Sequence, residues 1–170
     1  MTRQRNERDS GETLFVRSFD EQFRRLHERS RQLVLSISPD DLYRQPRESA
    51  NQFPVYSCGE HILRSAAAVE QTAGGITTNL WDDPFEWTLP ETLSTPERVI
   101  EYLDEVEATR RRALSLVGSD EELRKEIAAP SGEMKTLFAL FAETLVRASH
   151  YQGRAFATFR IFSDAQLPYS

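Results

Sequence analysis

Four stretches of the chain carry apolar residues at the three- and four-residue spacing that puts them on one face of a helix. The first extends from Thr13 to about Ser36 and has charged residues on its other faces. The last, from Ser131 to about Ser163, carries the longest pattern. No segment alternates apolar and polar residues as a half-buried strand does, and no internal repeat is present. The pattern predicts an all-α protein, an antiparallel four-helix bundle.

Capping signals mark the helix ends. Ser57 and Glu60 have the spacing of a capping box, which predicts that the second helix begins there. The glycine pair 74–75 predicts its end, because glycine adopts the left-handed cap conformation at little cost. A third helix is expected to open at Pro96, which loses no hydrogen bond in a first turn, and to stop at Gly118.

Residues 79–90 have neither a helical nor an alternating period and contain Trp81 and Trp87. They predict a long loop between helices two and three with aromatic anchors. Loops of this length in a small domain usually cover a site or supply an interface. Two interpretations stay open: the aromatic side chains seal one end of the core, or they form a contact surface.

Composition narrows the class of protein. The 170 residues, 39% of them hydrophobic, suit one folded domain, which we expect at 13–163 between a disordered polar tail at 1–12 and a C-terminal tail at 164–170. With 21 Lys and Arg against 27 Asp and Glu, the net charge of -6 argues against nucleic acid as a partner. The longest apolar run, at 137–142, is far shorter than the roughly 20 residues of a membrane span, and the N-terminus has no apolar stretch of a secretory signal. We therefore expect a cytoplasmic protein with no membrane partner.

Cys58, the only cysteine, cannot form an internal disulfide. At the first turn of the second helix, the amide dipoles would favour its thiolate and make it reactive. The other interpretation is a small buried side chain that fills space in the core.

Two segments resemble a known family. Residues 56–64, Tyr-Ser-Cys-Gly-Glu-His-Ile-Leu-Arg, resemble the start of the second helix in the DinB/YfiT-like superfamily. Residues 147–154, Arg-Ala-Ser-His-Tyr-Gln-Gly-Arg, resemble its fourth-helix motif, HxxxHxxGQ. The helix order, the Ser-Pro-Asp-Asp-Leu turn at 38–42 and the long second-to-third connection are similar too, so the likeness covers about 13–163. The resemblance implies a four-helix bundle, often a homodimer, with a divalent metal held by three histidines and a thiol-handling transferase or isomerase activity.

At the positions that this resemblance assigns to the metal ligands, the chain has Arg64, Arg147 and Tyr151. A guanidinium has no lone pair to give a cation and stays protonated. We therefore expect no divalent-metal centre and no cofactor. The alternative is a metal such as Zn or Ni at a relocated site around His61 and His150, each of which lies three residues from a lost ligand.

Carboxylates stand near both arginines. Glu60 precedes Arg64 by four residues and Glu143 precedes Arg147 by four, the favourable order for ion pairs on a helix. These pairs line a cleft or lie on the wet surface, where they contribute little. If the two arginines converge in a cleft with the tyrosine and the two histidines, the cleft would favour a small anion such as a carboxylate or phosphate.

Three functions stay open at this point. The first is a DinB-like protein without the metal centre, whose charged pocket binds a small anion or is purely structural, and for which we expect no catalysis. The second is a metal-dependent thiol transferase or hydrolase with relocated ligands at His61 and His150. The third is a dimeric interaction module that works through the Phe and Trp residues of the 81–89 loop, Trp81, Phe85 and Trp87. No substrate follows from the residues.

Overall fold

The computed structural model describes residues 13–46, 55–84 and 88–168. The expected polar tail at 1–12, Phe85, Trp87 and the last two residues lie outside this part of the chain. The described residues are mostly helical, which confirms the helical fold class. In chain order, the elements are α1 (Leu14–Ser36), α2 (Pro39–Leu42), α3 (Cys58–Thr78), α4 (Pro96–Ser115), a short 3-10 turn (Glu122–Arg124), β1 (Glu126–Ala128), β2 (Met134–Thr136) and α5 (Leu137–Phe162).

Helices α1 and α5 lie side by side and run in the same direction. Near their beginnings, the Phe19 and Phe141 rings pack with centroids 5.5 Å apart. Further along both helices, the buried Gln152 amide donates to the Leu26 carbonyl at 2.7 Å. The amide satisfies a carbonyl of the neighbouring helix and so holds the two helices in register.

Helix α3 runs opposite to α5. The buried Ser65 hydroxyl donates to the Ala148 carbonyl at 2.9 Å, and the Thr72 and Thr144 hydroxyls share a hydrogen bond of 2.6 Å. Buried polar groups on small side chains are thus paired across the interface, which lets the two helices pack closely.

Helix α4 runs opposite to α1 and therefore in the same direction as α3. The Arg110 guanidinium, only 3% exposed, binds Asp20 of α1 and also Glu107, at 2.6 Å, one turn earlier on α4. Burial costs this cation hydration, and the two carboxylates offset the cost. Because α3 and α4 point the same way, the connection at 79–95 has to return the chain along the length of the molecule.

The ends of α3 agree only in part with the sequence prediction. The capping box is confirmed: the Ser57 hydroxyl accepts from the Glu60 amide, and the Glu60 carboxylate accepts from the Ser57 amide. The predicted end at the glycine pair is wrong, because α3 continues to Thr78 and is capped by Asn79, whose φ of 57° ends the helix. A Cβ on Gly75 would lie 2.4 Å from the Trp81 ring. That glycine makes room for the returning chain rather than stopping the helix.

The expectation of no strand, and of a last helix from Ser131, is also wrong. β1 and β2 form an antiparallel hairpin, with Glu126 opposite Thr136 and with Gly132 in its turn at a φ of 80°. The Thr136 side chain then accepts from the Ala139 amide and begins α5. Strands of three residues are too short to show an alternating pattern.

The core lies between the four long helices and includes Leu33, Ile62, Val99 and Phe159. Beyond α5, Leu167 of the expected C-terminal tail packs against this core. No helix in the described ranges combines the length and apolarity that crossing a bilayer requires.

Candidate functional site

Arg64, Arg147 and Tyr151 line one pocket of about 60 Å³ between α3 and α5. We call it the arginine pocket. Its other lining residues are Ala67, Ala68, Gln71 and Asp83. The two alanines are buried and small, so the helices can approach closely. The longer side chains of the lining surround the space that remains.

The Arg147 guanidinium is anchored on α3 although its residue is exposed. One of its terminal nitrogens donates to the Ala68 carbonyl at 3.3 Å and to the Gln71 side-chain carbonyl at 3.1 Å. Both bonds come from one terminal nitrogen, so they use at most two of the five N–H donors of the guanidinium. The cation is thus held at the edge of the pocket with donors still available to a ligand.

Arg64, on α3, also lines the pocket. Its guanidinium stacks over the Tyr56 ring, 4.1 Å from the centroid. Stacking on an aromatic face fixes the plane of the cation without neutralising its charge. Tyr56, which lies just before α3, therefore orients the cation that Arg64 supplies from the helix itself.

His61 is 7% exposed and lies beside the arginine pocket rather than in its lining. Its ring packs against Tyr56 at 5.6 Å and against Tyr151 at 6.5 Å. Burial, and then the positive charge of Arg154, lower the pKa of His61 to about 4. The imidazole is therefore neutral at pH 7, and its buried Nδ1 atom has no hydrogen-bond partner among the described residues.

His150 is exposed on the outer side of α5, and its ring contacts Tyr151 at 5.8 Å between centroids. Both predicted histidines thus pack against the same phenol. Neither belongs to the residues that line the arginine pocket.

The ion pairs predicted from helical spacing are not formed among the residues that the structure describes. Glu60 is held at the start of α3, where its carboxylate accepts from the Ser57 amide at 2.7 Å and from Gln45 at 3.2 Å. Glu143 pairs with Lys135 of β2 at 2.8 Å instead of Arg147. The prediction failed because a capping amide and a lysine from another element are better placed than the neighbour on the same helix.

Two polar lining residues, Gln71 and Asp83, were not predicted from the sequence. Gln71 follows Arg64 by seven residues, two helical turns, so its position on the same face could have been read from the spacing. Asp83 belongs to the connection after α3, and its place in the pocket depends on the path of that connection. Helical spacing carries no signal for it.

The residues of the pocket do not fit the divalent metal that the family resemblance implies. Two of the three implied ligand positions hold guanidinium groups, which cannot donate a lone pair, and the third holds a phenol. Within 13–46, 55–84 and 88–168, no three His, Cys, Asp or Glu side chains come together in a way that could hold a metal ion. His61 and His150 therefore find no third ligand in this part of the chain.

Cys58 is fully buried, and its thiol donates to the Ala155 carbonyl at 3.4 Å. Burial raises the pKa of this thiol to about 12, so the thiolate is scarce at neutral pH. Of the two interpretations, the structure supports the buried, space-filling side chain.

Comparisons of the chain with protein-family models, with curated proteins and with solved structures find no match. The geometry of the arginine pocket is therefore the basis for interpreting its function.

Proposed function

We propose that the four long helices form a four-helix bundle of the DinB-like type, and that the arginine pocket binds a small anion where the family holds its metal. The protein is then a binding protein rather than a metalloenzyme. The observation that carries the proposal is the convergence of Arg64 and Arg147, from different helices, on one pocket of about 60 Å³. The helix order and the long crossover between α3 and α4 support the DinB-like arrangement.

The charge of the pocket favours an anion. Among the described residues, its charged lining side chains are two guanidinium groups and one carboxylate, Asp83, which sum to a formal charge of +1 (two minus one). Guanidinium groups present paired N–H donors that match the oxygens of a carboxylate or phosphate. Tyr151 adds a phenol to the lining. The pocket volume of about 60 Å³ holds a few water-sized groups, which is enough for the oxygen atoms of a carboxylate or phosphate.

Isothermal titration calorimetry of the full chain with inorganic phosphate, and separately with acetate, tests the proposal. We expect saturable binding and an Arg147→Ala variant that binds about tenfold to hundredfold more weakly, since a charge-assisted hydrogen bond is worth about 1.5–3 kcal/mol. Arg160→Ala is the matched control, because it removes an exposed arginine from the same helix outside the pocket. Its affinity should remain that of the wild type.

Three outcomes would overturn the proposal. The first is the absence of saturable binding to both probes, and the second is an equal loss of affinity in the two variants. The third is stoichiometric Zn or Ni in untagged protein by elemental analysis, which would favour the metal-dependent enzyme with relocated ligands. The homodimer that the resemblance implies stays a prediction, and sedimentation of the purified protein tests it.

A further inference from the structure

A larger cavity adjoins the arginine pocket. Its volume is about 280 Å³, and it lies between α3, α5 and the turn of the β1–β2 hairpin. We call it the hairpin cavity. It shares Gln71 and Arg147 with the arginine pocket, so the two spaces meet at the hydrogen bond between these side chains.

The surface of the hairpin cavity is partly flat and apolar. Trp81, Pro130 and Leu140 line it together with Ala129. The hydroxyls of Thr72 and Thr144, which also line it, are already satisfied by each other and by helix carbonyls. These groups therefore do not require a polar ligand, and the apolar surfaces favour a planar ring.

Two of the three charged residues that line the hairpin cavity are paired with each other. The Lys135 ammonium contacts both oxygens of the Glu143 carboxylate, at 2.8 and 2.9 Å. Arg147 is thus the cation of this cavity that also faces the arginine pocket. An anion attached to the ring would be drawn to the boundary where Arg147 lies, not to the outer rim.

Trp81 supplies a further indication of a ligand. Its indole ring lies against Gly75 of α3, and its buried N–H has no acceptor among the described residues. A buried donor without a partner costs free energy, and the face of a bound aromatic ring, which accepts a weak N–H hydrogen bond, would reduce that cost.

We propose, as an extension of the proposed anion site, that the natural ligand is an aromatic anion, a planar ring that carries a phosphate or carboxylate group. The anionic group lies in the arginine pocket between Arg64 and Arg147, and the ring extends past Gln71 into the hairpin cavity beside Trp81. An apolar cavity of about 150 Å³ accommodates a benzene molecule, so the hairpin cavity has room for a ring with substituents.

Titration of the full chain with phenyl phosphate and with inorganic phosphate tests this inference. We expect phenyl phosphate to bind at least about tenfold more tightly, because the ring leaves water for an apolar surface. Ser131→Phe fills the hairpin cavity from an exposed turn position without touching the arginine pocket. This variant should bind inorganic phosphate as the wild type does and lose the preference for phenyl phosphate.

A second measurement reports on the ring directly. In spectra of ¹⁵N-labelled protein, the Trp81 indole signal, assigned with Trp81→Phe, should shift with phenyl phosphate and stay in place with inorganic phosphate. Equal affinities for the two probes, or a Ser131→Phe variant that keeps the preference, would overturn the aromatic ligand and leave the anion site standing. Failure of both probes to bind would overturn the proposed function together with this inference.

Discussion

His61 should make the stability of the protein depend on pH in a way that one substitution removes. The imidazole is buried between two tyrosine rings and close to Arg154, and these surroundings lower its pKa to about 4 from an ordinary value of 6.5. The folded protein therefore resists protonation of His61, whereas the unfolded chain accepts the proton. Other charges that act on the ring are those of Glu60 and Arg64 on α3 and of His150 on α5.

The size and sign of the effect follow from the two pKa values. Between pH 6.5 and pH 4 the unfolded state binds more protons, so the free energy of unfolding falls as the pH falls. Each pKa unit corresponds to about 1.4 kcal/mol, and the difference between 6.5 and about 4 gives a total loss of about 3 kcal/mol. Below pH 4 both states are protonated at His61, and this contribution stays constant.

His61→Phe removes the titrating group and keeps an aromatic ring of similar shape in the same position. Urea denaturation at pH 7, 6, 5 and 4 gives the free energy of unfolding for the wild type and the variant. The wild type should lose about 3 kcal/mol more than the variant over this range, since every other titrating group is common to both proteins. His150→Asn, which replaces the exposed imidazole on α5 and removes the smallest of the charge effects on His61, serves as the matched control and should keep most of the wild-type pH dependence.

Parallel pH curves for the wild type and His61→Phe, within about 0.5 kcal/mol, would refute this reasoning. That result would mean that the buried ring accepts a proton in the folded protein, through water or a rearrangement that opens the space between the tyrosines. An NMR titration of the His61 ring signals provides the corresponding direct value.

Two further substitutions test the packing. Gly75→Ala should destabilise the fold by about 1–3 kcal/mol, because the added Cβ would meet the Trp81 ring at 2.4 Å, whereas Gly153→Ala, with open space around it, should stabilise α5 by up to about 1 kcal/mol. Equal urea midpoints for the two alanine variants would contradict this. Arg110→Met should cost about 3 kcal/mol, because it leaves the buried Glu107 carboxylate without its nearest cation, and adding Glu107→Leu should restore most of the loss. A double variant no more stable than the single one would show that the pair contributes through packing alone.

The positions of the long helices could be predicted because their signals are local. The apolar stripe of α1 and the capping box of α3 depend on residues within a few turns of each other. The hairpin escaped prediction because its pairing joins two strands of three residues across a turn, and neither strand carries a pattern of its own. The glycine pair in α3 was misread since its role depends on Trp81, which reaches Gly75 only after the chain has turned back.

The candidate site shows the same division. Helical spacing and the family register put Arg64, Arg147 and Tyr151 together as candidates, and all three line the arginine pocket. Their polar partners were not predictable. Glu143 pairs with Lys135 of β2 rather than with Arg147 on its own helix, and the distances that decide between them depend on the fold. Asp83 lines the pocket because of the path of the loop after α3, and a loop has no periodic signal in the sequence.

The shared direction of α3 and α4 limits how short the connection between them can become. A helix of 20 residues is about 30 Å long, and an extended chain needs about nine residues to cover that distance. Deletions in 79–95 that leave fewer residues than this would prevent α4 from reaching its own α1. Two chains that exchange their α4 and α5 halves would avoid that limit, so shortening this crossover should favour domain swapping over self-contained folding.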